Sequence, residues 1–358
     1  MASDSGAHAD ALSHSGTLPR RRGRFLGVVA ATFAACMVLS VALPHDPYIR
    51  YQSFKGTIFD RLSWVYDRLY HDNTPIDVLF IGSSRTARGA NAAAIEAELA
   101  EIGRPELRVA NISEPASGMD IRLTKLRDAL RAHPEIRLVV LGMVEALPRD
   151  GHQAFGDLAT AGQVLTAPWV INRTLPENLA ALPFRQIELA LASRLPDAFG
   201  YRAAFDPDAY PGPTPDHRDF NDANWREIEA AKLSSAPRHA AELAAESVMR
   251  RREITPPVLP DALAWAEFGV SRSYLQDMAR LLEDEGVEMA FVFLPFYDGY
   301  DEPLDADYLR SVAPIWSAAF MRETPMNYFD AAHASQHGID LLAPWFARRI
   351  ADTLEPAR

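Results

Sequence analysis

The sequence predicts an α/β protein: a mainly parallel sheet with helices on both faces, a helical insertion, and one transmembrane helix near the N-terminus. Three observations lead there. Short, continuous apolar runs alternate with helix-favouring stretches, the pattern of parallel strands buried on both sides. That rhythm is lost over about 148–262 and then resumes. Residues 25–43, FLGVVAATFAACMVLSVAL, carry no charge.

The chain of 358 residues is 48% apolar, enough for a sizeable core in one large domain or two modest ones. A formal charge of −12 excludes a general affinity for nucleic acid, which needs a clustered basic surface. The one dense basic cluster, Arg20-Arg21-Arg22 with Arg24, lies in the N-terminal tail. A single cysteine, Cys36, excludes an intrachain disulfide and a thiolate metal cage.

The elements follow in order. The 19 uncharged residues of 25–43 are about enough to cross a bilayer core. The arginines before them place residues 1–24 in the cytoplasm and everything after residue 43 outside it, as a single-pass protein of the cytoplasmic (inner) membrane. A cleaved signal would end in small residues, and Val41-Ala42-Leu43-Pro44 is a poor cut site. Phe33-Ala34-Ala35-Cys36 is loosely similar to a lipoprotein signal, but the apolar run continues for seven residues past Cys36. The expectation is an uncleaved anchor with Cys36 as a small apolar residue within it. Residues 44–75 form a juxtamembrane region. There Phe54, Ile58, Phe59, Leu62, Val65, Tyr66 and Leu69 repeat at helical spacing, predicting an amphipathic helix over 51–70 that lies on the membrane or packs on the main domain.

The main domain starts at residue 76. Strands are predicted at 76–81, 107–112, 136–141 and 288–294, with a last short strand ending at Tyr328-Phe329. Helices are predicted at 91–101, 120–132, 271–285 and 341–354. The stretch 148–262, rich in proline, alanine, aspartate and arginine, reads as a mainly helical insertion: a lid, a partner surface or elaboration.

Ligands in an open parallel sheet bind at the carboxyl ends of its strands. Gly82-Ser83-Ser84-Arg85 stands at such an end, just before a helix, where a serine hydroxyl is exposed near backbone amides. Near the C-terminus, Asp330 and His333 lie three residues apart on the loop after the last predicted strand. A histidine can take the proton of a serine if a carboxylate fixes its tautomer.

With these two blocks the chain resembles the SGNH (GDSL-like) hydrolase superfamily. Gly82-Ser83-Ser84 looks like the family's first block, with Ser84 at the nucleophile position and Ser83 in place of the usual aspartate. Asp330-Ala331-Ala332-His333 followed by Gly338 matches its last block in spacing. Asn111 to Gly118 looks like the second block, which makes Gly118 the expected amide donor to an oxyanion. The likeness covers roughly 76–147 and 265–354, and implies a flavodoxin-like three-layer α/β/α sandwich.

The third block departs from the family. It normally reads Gly-x-Asn-Asp, and its asparagine completes the oxyanion hole; here it reads Gly142-Met143-Val144-Glu145. Val144 has nothing to donate, and losing one such donor costs about 2.7–4 kcal/mol of transition-state stabilisation. Arg85 is a substitute for that donor or an anion-binding residue, unless it simply packs on the surface. Glu145 stands at a strand end within reach of substrate or of Arg85.

His333 and His337 form a His-x-x-x-His pattern without the glutamate of a metalloprotease motif, and Asp330 already accounts for His333, so no metal and no cofactor are expected. Leu294-Pro295-Phe296-Tyr297 either lines an acyl or sugar pocket or belongs to the core.

The resemblance implies a membrane-anchored serine esterase or O-acyltransferase acting outside the cytoplasm, with an acylated envelope glycan or similar ester as substrate and envelope polysaccharide machinery as partner. A catalytically silent glycan-binding or scaffold protein is the alternative that Val144 favours.

Overall fold

The computed structural model describes residues 18–220 and 224–354, with the side chains of 18–22 and 261 excepted. Residues 1–17 of the expected cytoplasmic tail and the side chains of Arg20-Arg21-Arg22 therefore lie outside the described residues. Helix α1 spans Leu18–Ser40. Its stretch Gly23–Ser40 is long and apolar enough to cross a membrane, and almost none of it is buried against the rest of the chain.

Strands β1 (Val78–Ile81), β2 (Val109–Asn111), β3 (Leu138–Met143), β4 (Glu288–Phe293) and β5 (Ile315–Ser317) form one all-parallel sheet in the order β2-β1-β3-β4-β5. Successive side chains of a strand point to opposite faces, and both faces are apolar. Leu79, Ile81, Val139, Leu141 and Phe291 join one core with α3 (Arg61–Tyr70), α6 (Met119–Ala132) and the helix Gly269–Asp284. Val78, Phe80, Val140, Ala290 and Val292 join the other with α5 (Ala92–Glu101) and the closing helix Gln336–Leu354. Two-sided burial is why these strands read as continuous apolar runs.

Two expectations need correction. The last strand is Ile315–Ser317. Tyr328 makes only an isolated antiparallel bridge with Ala334, inside the loop that carries Asp330 and His333. Three residues following a proline are too few to show periodicity. The single amphipathic helix over 51–70 is in fact two pieces, α2 (Pro47–Gln52) and α3, split by a turn. Gly56 sits there at φ +76°, a conformation glycine adopts freely. The Thr57 hydroxyl bonds the Phe54 carbonyl (2.6 Å) and accepts from the Phe59 amide (3.0 Å), which fixes the break. Both pieces pack on the domain: Tyr51, Trp64, Val65 and Leu69 are buried in the core of the first face, and the Tyr51 hydroxyl donates to Asp128 over 2.7 Å.

Between β3 and the helix Gly269–Asp284, the chain contains the helices Leu175–Ala192, Trp225–Leu233 and Ala236–Glu253 among shorter turns. The last two grip the loop that follows β5. His239 Nε2 meets the Tyr328 carbonyl at 2.8 Å, Glu246 accepts from the Ala331 amide at 2.9 Å, and Glu229 accepts from the Gln336 amide at 2.8 Å.

Candidate active site

The chain leaves β1 through Gly82 and turns into the short helix α4 (Ser84–Gly89). The turn is tight because β1 and β3 end side by side beneath Thr86: a Cβ at Gly82 or at Gly142 would run into the Thr86 side chain. Asn111, at the end of β2, holds α4 from the other side. Its amide nitrogen donates to the carbonyls of Thr86 (2.9 Å), Ala87 (3.2 Å) and Ala90 (2.7 Å), and its oxygen accepts from the Ser113 amide. With every polar atom so engaged, Asn111 positions the serine helix and faces no substrate.

The loop after β5 brings His333 onto Ser84. The Ser84 hydroxyl lies 2.8 Å from His333 Nε2, and His333 Nδ1 lies 2.9 Å from both carboxylate oxygens of Asp330. This order fixes the tautomer: Nδ1–H donates to Asp330, leaving the Nε2 lone pair to accept the serine proton. Asp330 also accepts from the amides of Ala332 (2.8 Å) and His333 (3.0 Å). Burial penalises its charge, but the His333 ring and these amides outweigh burial and hold the carboxyl well below the usual carboxylate range. Ser335 anchors the far end of the loop, accepting from the Gly338 amide at 3.1 Å where the closing helix begins. His337 is exposed in the first turn of that helix.

Ser84, His333 and Asp330 open onto a cleft of about 680 Å³, bordered also by Thr57, Ile58, Asp60, Arg61, Arg88, Pro115, His217 and Phe220. Sequence reading missed Arg61 and His217. Arg61, the first residue of α3, donates to the carbonyls of Ser113 (2.8 Å) and Asn111 (2.6 Å), with its guanidinium 4.7 Å from the Trp64 ring centre. Burial brings its pKa down to about 9, which leaves it cationic at neutral pH. His217, from the insertion, is buried at the cleft wall. Desolvation first, and then the positive charges of Arg61 and Arg88, keep it well below the usual histidine value and so neutral.

Like Asn111, the other three expected oxyanion or substrate-binding residues, Arg85, Glu145 and Gly118, do not reach the cleft. Arg85 points away from Ser84 and binds Glu145 through both guanidinium nitrogens, Nη2 to Oε2 at 2.7 Å, while also donating to the Leu294 carbonyl at 3.1 Å. Both partners are buried, so each satisfies the other and neither faces substrate. Gly118 is closed off behind His152 and Asp120 and does not border the cleft. Val144 follows β3, half-buried. Of the aromatic stretch, Leu294 and Phe296 are core and the Tyr297 amide donates to the Ala331 carbonyl, so these residues support the histidine loop from beneath. Among the described residues, no group of three or more His, Cys, Asp or Glu is arranged to hold a metal ion.

The arrangement is that of a nucleophile, a general base and an orienting carboxylate at the carboxyl ends of parallel strands, in an open cleft of mixed polar and apolar lining. No protein-family model and no curated protein matches the chain.

Proposed function

We propose that this is a membrane-anchored serine esterase or O-acyltransferase of SGNH-like type, acting outside the cytoplasm on an acylated envelope glycan or a similar ester. The observation that carries the reading is the 2.8 Å contact between Ser84 Oγ and His333 Nε2, with Asp330 behind the imidazole. The strand order β2-β1-β3-β4-β5 supports a flavodoxin-like doubly wound sheet, whose ligand crevice lies where the order reverses, between β1 and β3. Ser84 follows β1 and borders that crevice.

In this mechanism His333 takes the Ser84 proton as the hydroxyl oxygen attacks the acyl carbonyl. The tetrahedral adduct collapses when His333 returns that proton to the leaving alkoxide. The acyl group, now on Ser84, passes to water in hydrolysis or to a sugar hydroxyl in transfer, with His333 again as base. The Ser84 amide is one donor to the developing oxyanion. Arg61 brings a full positive charge to the same cleft and takes the part of the asparagine that Val144 replaces. Arg61, Asp60, Thr57 and Phe220 give the open cleft the mixture of polar groups and one flat apolar face that suits a polyhydroxylated ligand. The length and apolar character of α1 support the anchor, and Arg24 before its apolar stretch supports an N-terminus inside.

Val144, together with the withdrawn position of Gly118, favours a second reading, a silent glycan-binding scaffold of an envelope polysaccharide assembly. One experiment separates the two. The full chain in detergent is treated with a fluorophosphonate probe and assayed with p-nitrophenyl acetate beside Ser84→Ala. Labelling of Ser84, with hydrolysis at least about 10³-fold above the variant, is the expected result. Equal rates and no labelling would leave the scaffold.

A further inference from the structure

Where α1 ends, it runs onto the helix Leu175–Ala192. Gln186 Nε2 donates to the Val41 carbonyl over 3.0 Å, and Val41 packs against the small core that contains Leu175 and Leu182. Two groups of large apolar side chains stand beside this junction uncovered. Along the helix, Ala180, Phe184, Ile187 and Leu191, with Leu195 just beyond its end, repeat at three- and four-residue steps and so share one face. Phe184 is 59% exposed, Leu191 49% and Leu195 59%. In the loop after the helix Ala161–Leu165, Trp169 is 75% exposed, with Val170 and Ile171 about half exposed beside it. Ile171 holds a φ of +52°, a conformation that disfavours β-branched residues, and its side chain remains on the surface.

We propose that these two groups are seated in the same bilayer that α1 crosses, so that the domain lies against the membrane instead of hanging from it by a tether. This rests on the reading of α1 as a membrane span. Helix α1 ends at Ser40 and the uncharged run at Leu43, which puts Val41, and therefore Gln186, where the span meets the headgroups. Side chains flanking that level meet lipid before they meet anything else. Phe184 is two residues from Gln186, and the stripe from Phe184 to Leu195 spans about 16 Å at 1.5 Å per residue. Interfacial helices bury such a face about 5–10 Å deep, tryptophan favours that depth, and the exposed Arg194 can reach up to the phosphates. Because α1 already holds the domain at the surface, even a weak contact would be occupied. Leu189 and Ala192 of the same helix border a second cavity of about 410 Å³, and Thr57 borders both that cavity and the Ser84 cleft. Seating this helix therefore fixes how the cleft is held relative to the lipid.

The test uses the full chain with Cys36→Ser, a position exposed on α1. Single cysteines are placed at Val29, Trp169, Leu191 or the exposed Asp307, labelled with an environment-sensitive fluorophore, and reconstituted in phosphatidylcholine–phosphatidylglycerol vesicles that carry brominated acyl chains. Labels at Val29, Trp169 and Leu191 are expected to lose most of their fluorescence to the bromines, and the label at Asp307 to keep it. Adding Phe184→Ser and Leu195→Ser should return the Leu191 label to water. Quenching at Val29 with none at Trp169 and Leu191 would overturn the proposal and leave the span intact. No quenching at Val29 would instead remove the span, and the seating with it. Self-quenching of the Leu191 label that grows with protein density would put a second copy on this face, and also overturn the proposal.

Discussion

Arg85, the residue after Ser84, turns its back on the cleft and locks onto Glu145 across the ends of β1 and β3. The pair joins residues 60 apart in sequence, and each side chain is only 5% exposed. It fastens the turn that presents the serine to the neighbouring strand end. Removing one partner leaves a buried, unpaired charge, so Arg85→Met or Glu145→Leu alone should each destabilise the domain by roughly 3–5 kcal/mol. The double variant Arg85→Met/Glu145→Leu should recover much of that loss, because no lone charge remains. Urea denaturation of the four proteins measures the coupling; strict additivity would show that the pair does not act as a unit.

Asp330→Asn addresses the tautomer. An amide in that position can donate to Nδ1, which moves the ring proton to Nε2 and points it at Ser84. A kcat loss on the order of 10⁴-fold is expected. The same variant has a stability signature. The Asp330 carboxyl lies below its unfolded value in the native state, so its contribution is present above the unfolded value, near pH 4, and is lost as pH falls through the native one. Asp330→Asn should therefore be less stable than the parent at pH 7, and the gap should shrink as the pH drops below about 4. A constant gap across that range would count against the depressed carboxyl.

Arg61 can be separated into charge and scaffold. Arg61→Gln abandons two backbone carbonyls, at a stability cost of about 1–3 kcal/mol, and removes the cation proposed to serve the oxyanion, so that kcat should fall by about 10²–10³-fold. Arg61→Lys keeps the charge and should recover part of kcat while remaining destabilised. Equal kcat values for the two variants would remove Arg61 from transition-state binding.

Asp120 and His152 titrate against each other. Burial pushes Asp120 up to about 7 and His152 down to about 4, and the His152 amide donates to both Asp120 oxygens at 2.9 Å. As pH falls from 7 towards 4, native Asp120 takes up a proton that the unfolded chain does not, which favours folding. From 6.5 to 4 the unfolded His152 takes up one that the native ring refuses, which opposes folding. The two slopes oppose each other. His152→Gln should expose the Asp120 term, making stability rise by up to about 1.4 kcal/mol per pH unit lost in this window relative to the parent. Melting curves at pH 4.5, 5.5 and 6.5 check the sign.

Local chemistry made half of this site legible. An apolar run broken by glycine and serine marked the end of β1, and an aspartate three residues before a histidine marked the loop that meets it. Both signals sit within a few adjacent residues, so they survive without knowledge of the fold. Arg61 and His217 belong to no motif. One lies at the start of α3 and the other in the insertion, and only packing brings them to the cleft. Asn111 and Gly118 sit where the resemblance places them in sequence, but the hydrogen bonds of Asn111 and the side chain of His152 over Gly118 commit both to architecture. The break between α2 and α3 was readable in Gly56-Thr57, a glycine followed by a capping residue, and was masked by the helical spacing of the apolar residues around it.

Thr57, Ile58, Asp60 and Arg61 all belong to the stretch that joins the apolar helix α1 to the sheet, and all of them border the serine cleft. The leash is thus also one bank of the channel in which chemistry would occur. A protease that nicked the chain between Ser53 and Asp60 would not free an intact cleft from α1, because it would cut through part of the site's wall. On the proposed function, the ester would have to come to the membrane to be handled.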